Sequence, residues 1–285
     1  MQGLIDHGIA CQQHQTSNPT TRPNEIYQLY FGLGQSLNLA HDPEVFKVSL
    51  AGIRLGHYLV QSLAPNAPDR SILDIGTGSG VHALLMRKLG NRNITAIDVC
   101  EKSIAQAKIN EALNFKQNEI SFYISDLFSG LPKQKFQTVI FNPPGWRTPS
   151  PSLIQLLEKA DQVKRLPVRS MFYGDDVISR FLEDLPAYLE PMGRAIVGLN
   201  SLVGIRDVLE RYSQQHGGHP PLQYKLAERH TFPLIHYSSQ WQSLSEHLQY
   251  EFSDWAKRDL AAYSIDEDGN IYWSYEIVEF FHRRS

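Results

Sequence analysis

Between Ser71 and Gly90 the chain reads SILDIGTGSGVHALLMRKLG, and that run leaves few folds open. SILDIG (71–76) has the continuous apolar character of a short strand buried on both faces, glycines follow at 76, 78 and 80, and Val81–Leu89 then takes up helical spacing. The alternation continues. ITAID (94–98) reads as a strand, and Glu101–Leu113 as a helix with Ile104, Ala105, Lys108, Ile109 and Ala112 on helical spacing. ISFYIS (120–125) and FQTVIF (136–141) are further strands, and RAIVGLN (194–200) is another. Asp175–Leu189 is predicted helical with a distortion at Pro186, and so is Leu202–Gln215. Strands alternating with helices imply βαβ units and an α/β fold with a doubly wound, mainly parallel sheet.

Around this core the pattern changes. Residues 11–24, CQQHQTSNPTTRPN, are polar and proline-punctuated and read as an irregular or mobile lead-in. Pro43–Leu63 has helical apolar spacing, broken near Ser49–Gly52, and PNAPD (65–69) ends it. The tail from about 222 is aromatic-rich, with a helix over Glu246–Ala262 and a DEDGN turn (266–270) between two short strands. The expected organisation is a helical or irregular segment over 1–64, a core over 65–221, and an extension over 222–285 that completes the sheet or covers a site.

Composition narrows the function classes. No apolar run approaches the roughly 20 residues of a membrane span, and the amino-terminal MQGLIDHGIACQQHQ lacks the pattern of a signal peptide. Two cysteines, Cys11 and Cys100, are too few for a disulfide framework or a zinc cluster. The expectation is a cytoplasmic protein with reduced thiols, no metal and no membrane partner. The formal net charge of −3 counts against a nucleic-acid substrate without excluding it. The paired histidines His216 and His219 read as solvated, having no nearby carboxylate or cysteine pair.

The loop DIGTGSG lets backbone approach a ligand closely. It is not a dinucleotide fingerprint, because the third glycine falls one position early, and no Gly-Lys-Ser/Thr follows to make a P-loop. Asp74 precedes it, a carboxylate better suited to a cationic ligand than to a pyrophosphate. Asp98 ends the next strand, where a carboxylate either meets ribose hydroxyls or caps a helix. Asp126 ends the third, beside an adenine amine or simply in a turn.

LDIGTGSG, AID, SDL and NPP in this order resemble the class I S-adenosylmethionine-dependent methyltransferases over about residues 45–215. Within them, Asn-Pro-Pro is similar to the signature of the release-factor and ribosomal-protein glutamine N-methyltransferases and of enzymes methylating exocyclic base amines. The resemblance implies a seven-stranded Rossmann-like sheet and S-adenosylmethionine as cofactor. It places Asp74, Gly76, Thr77, Gly78 and Gly80 against the methionine part, Asp98 on the ribose with Val99 beside it, and Asp126 with Leu127 at the adenine. DPEVFKVS resembles a segment laid over the substrate, with Phe46 in it. The implied activity is methyl transfer to a planar amide or amine nitrogen of a protein glutamine or a small molecule. The alternatives are an exocyclic base amine of RNA or DNA and, from another class, a nicotinamide-dependent oxidoreductase.

Asn142 and Pro143 supply the chemistry in this reading. A planar –NH₂ group needs orientation more than a strong base. The Asn142 carbonyl accepts one N–H and a nearby backbone carbonyl the other, while two prolines stiffen the pair. Asn142 also lies beside the cofactor's reactive group, and Pro144 and Trp146 are expected at the substrate. The family pattern has Tyr or Phe after the second proline, whereas this chain has Gly145 and then Trp146. Either the aromatic has moved by one position, or its stacking role is absent.

Overall fold

The computed structural model describes residues 25–63, 68–161, 171–234 and 245–283. The lead-in at 11–24, Cys11 and the Lys164-Arg165 pair lie outside the described residues. The chain divides into two compact units, Met1–Asn142 and Pro143–Ser285, and the boundary falls within the Asn-Pro-Pro motif.

In the first unit β3 (Ile72–Ile75), β4 (Ile94–Asp98), β5 (Ser121–Ile124) and β6 (Phe136–Phe141) make a parallel sheet in the order β5-β4-β3-β6. Every residue of β3 is buried, as the apolar run requires of a strand covered on both faces. Helices α2 (Val81–Lys88) and α3 (Glu101–Asn114) follow β3 and β4. The chain runs outward from β3 to β5 and then returns to β6 on the other side of β3. The carboxyl ends of β3 and β6 therefore flank a topological switch point, where open α/β sheets take their ligands.

The amino-terminal segment holds more than the helix the apolar spacing predicted. An antiparallel hairpin, β1 (Glu25–Tyr30) and β2 (Ser36–His41), comes first. Then α1 (Leu50–Ser62) starts where the sequence pattern broke, because the Ser49 hydroxyl accepts the Gly52 N–H at 3.2 Å as an N-cap. The hairpin end is packed on α1. The His57 ring nitrogen Nε2 bonds the Tyr30 carbonyl at 3.2 Å, and a β-carbon on Gly56 would fall 2.4 Å from the Phe31 ring.

The second unit is antiparallel. β10 (Ile271–His282) pairs with β7 (Leu189–Asn200) on one side and β8 (Leu222–Pro233) on the other, and β9 (Tyr263–Ile265) joins it across the DEDGN turn. Asp266 Oδ1 accepts the Asp268 and Asn270 N–H groups in that turn, at 3.0 and 2.8 Å. Helices α4 (Pro151–Asp161), α5 (Gly174–Tyr188), α6 (Ile205–Gln215) and α7 (Ser245–Lys257) complete the unit, with Pro186 inside α5. The sequence reading assigned no strand at 222–233. β8 is a mostly exposed strand carrying Lys225, Glu228 and Arg229, and it lacks a strong apolar alternation.

Gly56→Ala tests the hairpin's seat. A methyl group forced against Phe31 should cost about 1–3 kcal/mol, read as a lower urea midpoint at unchanged slope. A midpoint equal to wild type would show that the hairpin does not bear on α1.

Candidate functional site

The glycine loop follows β3 and takes a path open mainly to glycine. Gly76, Gly78 and Gly80 have φ of 61°, 54° and 85°. A β-carbon on Gly78 would meet nothing within 4 Å, so the loop offers its backbone to open space, whereas one on Gly80 would strike the Ala107 β-carbon at 2.9 Å. Gly78 thus leaves room for a ligand, and Gly80 lets α2 start close against α3.

Two carboxylates hold that path. Asp74 is 1% exposed, and its Oδ2 accepts the Thr77 hydroxyl at 2.6 Å and the Ala83 N–H at 3.1 Å. Burial pushes its pKa up, opposed by the nearby His82, the Thr77 hydroxyl and the Ala83 N–H. Asp98 ends β4; its Oδ2 accepts the Gly78 N–H at 2.9 Å and its Oδ1 the Cys100 N–H at 2.8 Å. Burial raises its pKa as well, opposed by the N–H donors of Cys100, Gly78 and Val99. The Thr77 N–H donates to the Ile97 carbonyl at 2.9 Å, so the loop is stitched to the end of β4 at adjacent residues.

The other candidates sit at the same edge of the sheet. Val99 is 70% exposed beside Asp98, an apolar side chain presented to whatever lies over the strand end. Asp126 is exposed, and Leu127 is buried with φ of 48°, an uncommon conformation for leucine. Its carbonyl accepts the Ser125 hydroxyl at 2.8 Å, and the Gly130 N–H donates to the same hydroxyl at 2.9 Å. Phe141 pairs with Ile75, so Asn142 stands level with Gly76. A β-carbon on Gly52 would lie 3.8 Å from Nδ2 of Asn142, which brings the first turn of α1 to that side chain. Phe46, in the segment leading into α1, is 41% exposed. These placements suit S-adenosylmethionine: an open glycine backbone, a carboxylate at the second strand end and an exposed apolar residue next to it.

In the second unit Pro143 is buried and Pro144 half-buried. The expectation that Trp146 stacks on substrate is corrected by its surroundings. Its ring is fully buried, edge-on to Phe172 at 5.2 Å and to Phe252 at 5.3 Å. The Trp146 main-chain N–H donates to the Met171 carbonyl at 2.9 Å, and its main-chain carbonyl accepts the Gly174 N–H at 2.8 Å. A β-carbon on Gly145 would fall 2.8 Å from the Asn200 amide nitrogen, so Asn200 fills the space where a side chain at 145 would begin. Trp146 is a core anchor.

His82, missed by sequence reasoning, is buried and bonds the Gly52 carbonyl through Nε2 at 2.9 Å. His216 and His219 bond through Nδ1 to the Tyr212 and Gly217 carbonyls. Among the described residues no group of three or more His, Cys, Asp or Glu is arranged to hold a metal ion. None of the described helices is long and apolar enough to cross a membrane.

A carboxyl whose folded pKa is raised binds more protons in the native than in the unfolded state between the two values, so stability falls as pH rises through that window. Asp98→Asn removes this dependence. Urea unfolding of both proteins should therefore show the variant gaining stability relative to wild type as pH rises from 3.8 toward neutrality; a constant difference would show that Asp98 ionises as freely folded as unfolded. For the second unit, Trp146→Ala should lose about 3–5 kcal/mol, the usual cost of emptying a buried aromatic site. A loss below ~1 kcal/mol would return Trp146 to the surface.

Comparison with known proteins agrees with this geometry. The family model "Methyltransferase small domain" matches residues 37–162. A protein of Methanocaldococcus jannaschii, provisionally named a protein N5-glutamine methyltransferase, is 28% identical over 177 residues, 62% of this chain and 83% of its own. The tRNA1(Val) (adenine(37)-N6)-methyltransferase of Phocaeicola vulgatus is 32% identical over 115 residues, 40% of this chain and 47% of its own. Among solved structures, the T. thermophilus 16S rRNA N2 G1207 methyltransferase, in complex with AdoMet and guanosine, superposes with a TM-score of 0.53 at 17% identity. It covers 94% of this chain and 52% of its own. The chain thus spans about half the length of the latter two. The matches set aside the nicotinamide-dependent alternative. The small-domain match covers under half of the chain, and together with the α/β fold it supports reading the chain as an S-adenosylmethionine-dependent methyltransferase with that cofactor.

Proposed function

We propose that the chain methylates a planar carboxamide nitrogen, with the glutamine side chain of a protein as acceptor. The observation that carries this reading is the register of β3 with β6. It sets Asn142 level with the first residue of the glycine loop, at the switch point of the parallel sheet.

Bound S-adenosylmethionine supplies an activated methyl on its sulfonium. The chain's own contribution is orientation. The Asn142 carbonyl accepts one N–H of the acceptor amide, and the Pro143 carbonyl accepts the other. Both N–H bonds are then held, the nitrogen lone pair is turned out of conjugation with the carbonyl toward the methyl, and one of the two held protons leaves the nitrogen to solvent once the methyl has been transferred. Pro143 and Pro144 fix their own φ and restrict the residue before each, which keeps the two acceptors at a constant separation. Asp98 and the exposed Val99 hold the nucleoside part of the cofactor, with Asp126 and Leu127 at its adenine. Gly76, Thr77, Gly78 and Gly80 form the backbone cradle for the methionine part, and Asp74 acts by keeping that cradle in shape. Phe46 contributes apolar contact on the substrate side, and Pro144 lines its approach.

A carboxamide is favoured over a base amine on two grounds. The M. jannaschii relative named for glutamine is matched over most of its length, whereas the tRNA-modifying relative is matched over less than half. The net charge of −3 also supplies no general field for a polyanion.

The acceptor is read by incubating a cell lysate with the protein and methyl-labelled cofactor, then analysing peptides, nucleosides and small molecules separately. Label in N-methylglutamine supports the reading; label in a methylated nucleoside or a metabolite overturns it. On the acceptor so found, Asn142→Ala should lower kcat on the order of 10²-fold or more and leave cofactor affinity within about twofold of wild type. Asp98→Ala should do the opposite and weaken cofactor binding first. Normal turnover by Asn142→Ala would rule out the two-acceptor clamp.

A further inference from the structure

On one side β2 pairs with β1, and on the other its main chain meets side chains instead of a strand. Gln106, Asn110 and Asn114 stand at i, i+4 and i+8 along one face of α3. Asn114 accepts the Asn38 N–H at 2.9 Å and donates to the Asn38 carbonyl at 2.7 Å. Asn110 accepts the Ala40 N–H at 2.8 Å, and Gln106 donates to the Ala40 carbonyl at 3.0 Å. Three amides thus stand in for a third strand. Asn110 does one thing more. Its Nδ2 donates to the Ser79 carbonyl of the glycine loop at 2.8 Å, while its Oδ1 also accepts Gln106 Nε2 at 3.2 Å.

We propose that Asn110 is a positioning residue for the cofactor loop, through which the docked amino-terminal hairpin sets the affinity for S-adenosylmethionine. The side chain is fully buried, and its amide is engaged at both ends. Displacing β2 moves Oδ1, and the rigid amide plane then carries Nδ2 and the Ser79 carbonyl with it, since a buried polar atom left unpaired is costly. Ser79 lies between the two left-handed glycines Gly78 and Gly80, so rotation of its peptide alters the backbone facing the ligand. Gly80 brings this peptide against α3 at the level of Ala107, within reach of the residue three positions on.

Calorimetry with S-adenosylmethionine separates the bond to the loop from the bonds to the hairpin. Asn110→Asp keeps an acceptor for Ala40 and loses the donor to Ser79; Asn110→Ser loses both. Asn114→Ala removes two bonds to β2 and none to the loop. Both Asn110 variants should bind the cofactor about tenfold more weakly, while Asn114→Ala, which loosens β2 but spares the bond to the loop, should lose clearly less affinity at a similarly lowered melting temperature. Wild-type affinity in the Asn110 variants, or an equal loss in Asn114→Ala, overturns the proposal. If the Asn110 variants do not fold, hydrogen exchange on the wild-type protein decides. Saturating cofactor should slow exchange at Asn38 and Ala40 more than at β10; no extra slowing on β2 overturns the coupling. The proposal rests on the cofactor assignment, which fails separately if the wild-type protein itself shows no binding.

Discussion

The bond from the Gly78 N–H to the carboxylate of Asp98 is the contact on which the site depends. It closes a loop with three left-handed glycines against the end of the neighbouring strand, and it draws a half-buried acid into the same bond. Neither partner would be stable alone. A glycine loop without fixed acceptors has too many accessible backbone states to hold a ligand-ready shape. A carboxylate there has its pKa pushed up by burial, and the N–H donors of Cys100, Gly78 and Val99 oppose that rise. Asp74 repeats the arrangement from the other side, through Thr77 and Ala83. The two acids differ in consequence. Asp74 is sealed inside and bonds the loop, while Asp98 stands at the strand end beside the exposed Val99.

The parallel half of the fold was legible because a strand buried on both faces can only be written in apolar residues. ILDI and VIF announce themselves, and the glycines between β3 and α2 mark the turn. The hairpin was also written in the sequence, as the alternation in EIYQLY and SLNLAH around a glycine-rich tip, but it stood next to a polar lead-in and a longer helical pattern. β8 had little signal to read. A mostly exposed strand need not alternate in hydrophobicity, and its partner β10 supplies the buried face.

Trp146 shows a different limit. One position of separation from Asn-Pro-Pro suggested a displaced stacking ring, yet a side chain's direction is set by what its own backbone and neighbours permit. Hydrogen bonds with Met171 and Gly174 fix the Trp146 main chain, and Phe172 and Phe252 take the ring. Asn200 occupies the start of the path a side chain at 145 would follow. Gly145 is therefore a fitted absence. An aromatic at 145 would require a smaller residue at 200 as well.

The amide ladder on α3 is polar, and buried at Gln106 and Asn110, which is a poor way to gain stability, because each bond replaces one made equally well to water. Apolar residues at 106, 110 and 114 would hold a hairpin as firmly. They would not hold it in one register, since an apolar face tolerates a slip that a set of paired donors and acceptors forbids. The ladder accepts Asn38 and Ala40, two residues apart on one side of β2, at amides four residues apart on α3. A shift by one residue would turn Leu37 and Leu39, both fully buried, toward the polar side of the strand. Register of the hairpin and geometry of the cofactor loop are thus selected by the same side chain, Asn110, and that shared role explains why a polar residue persists at a fully buried position.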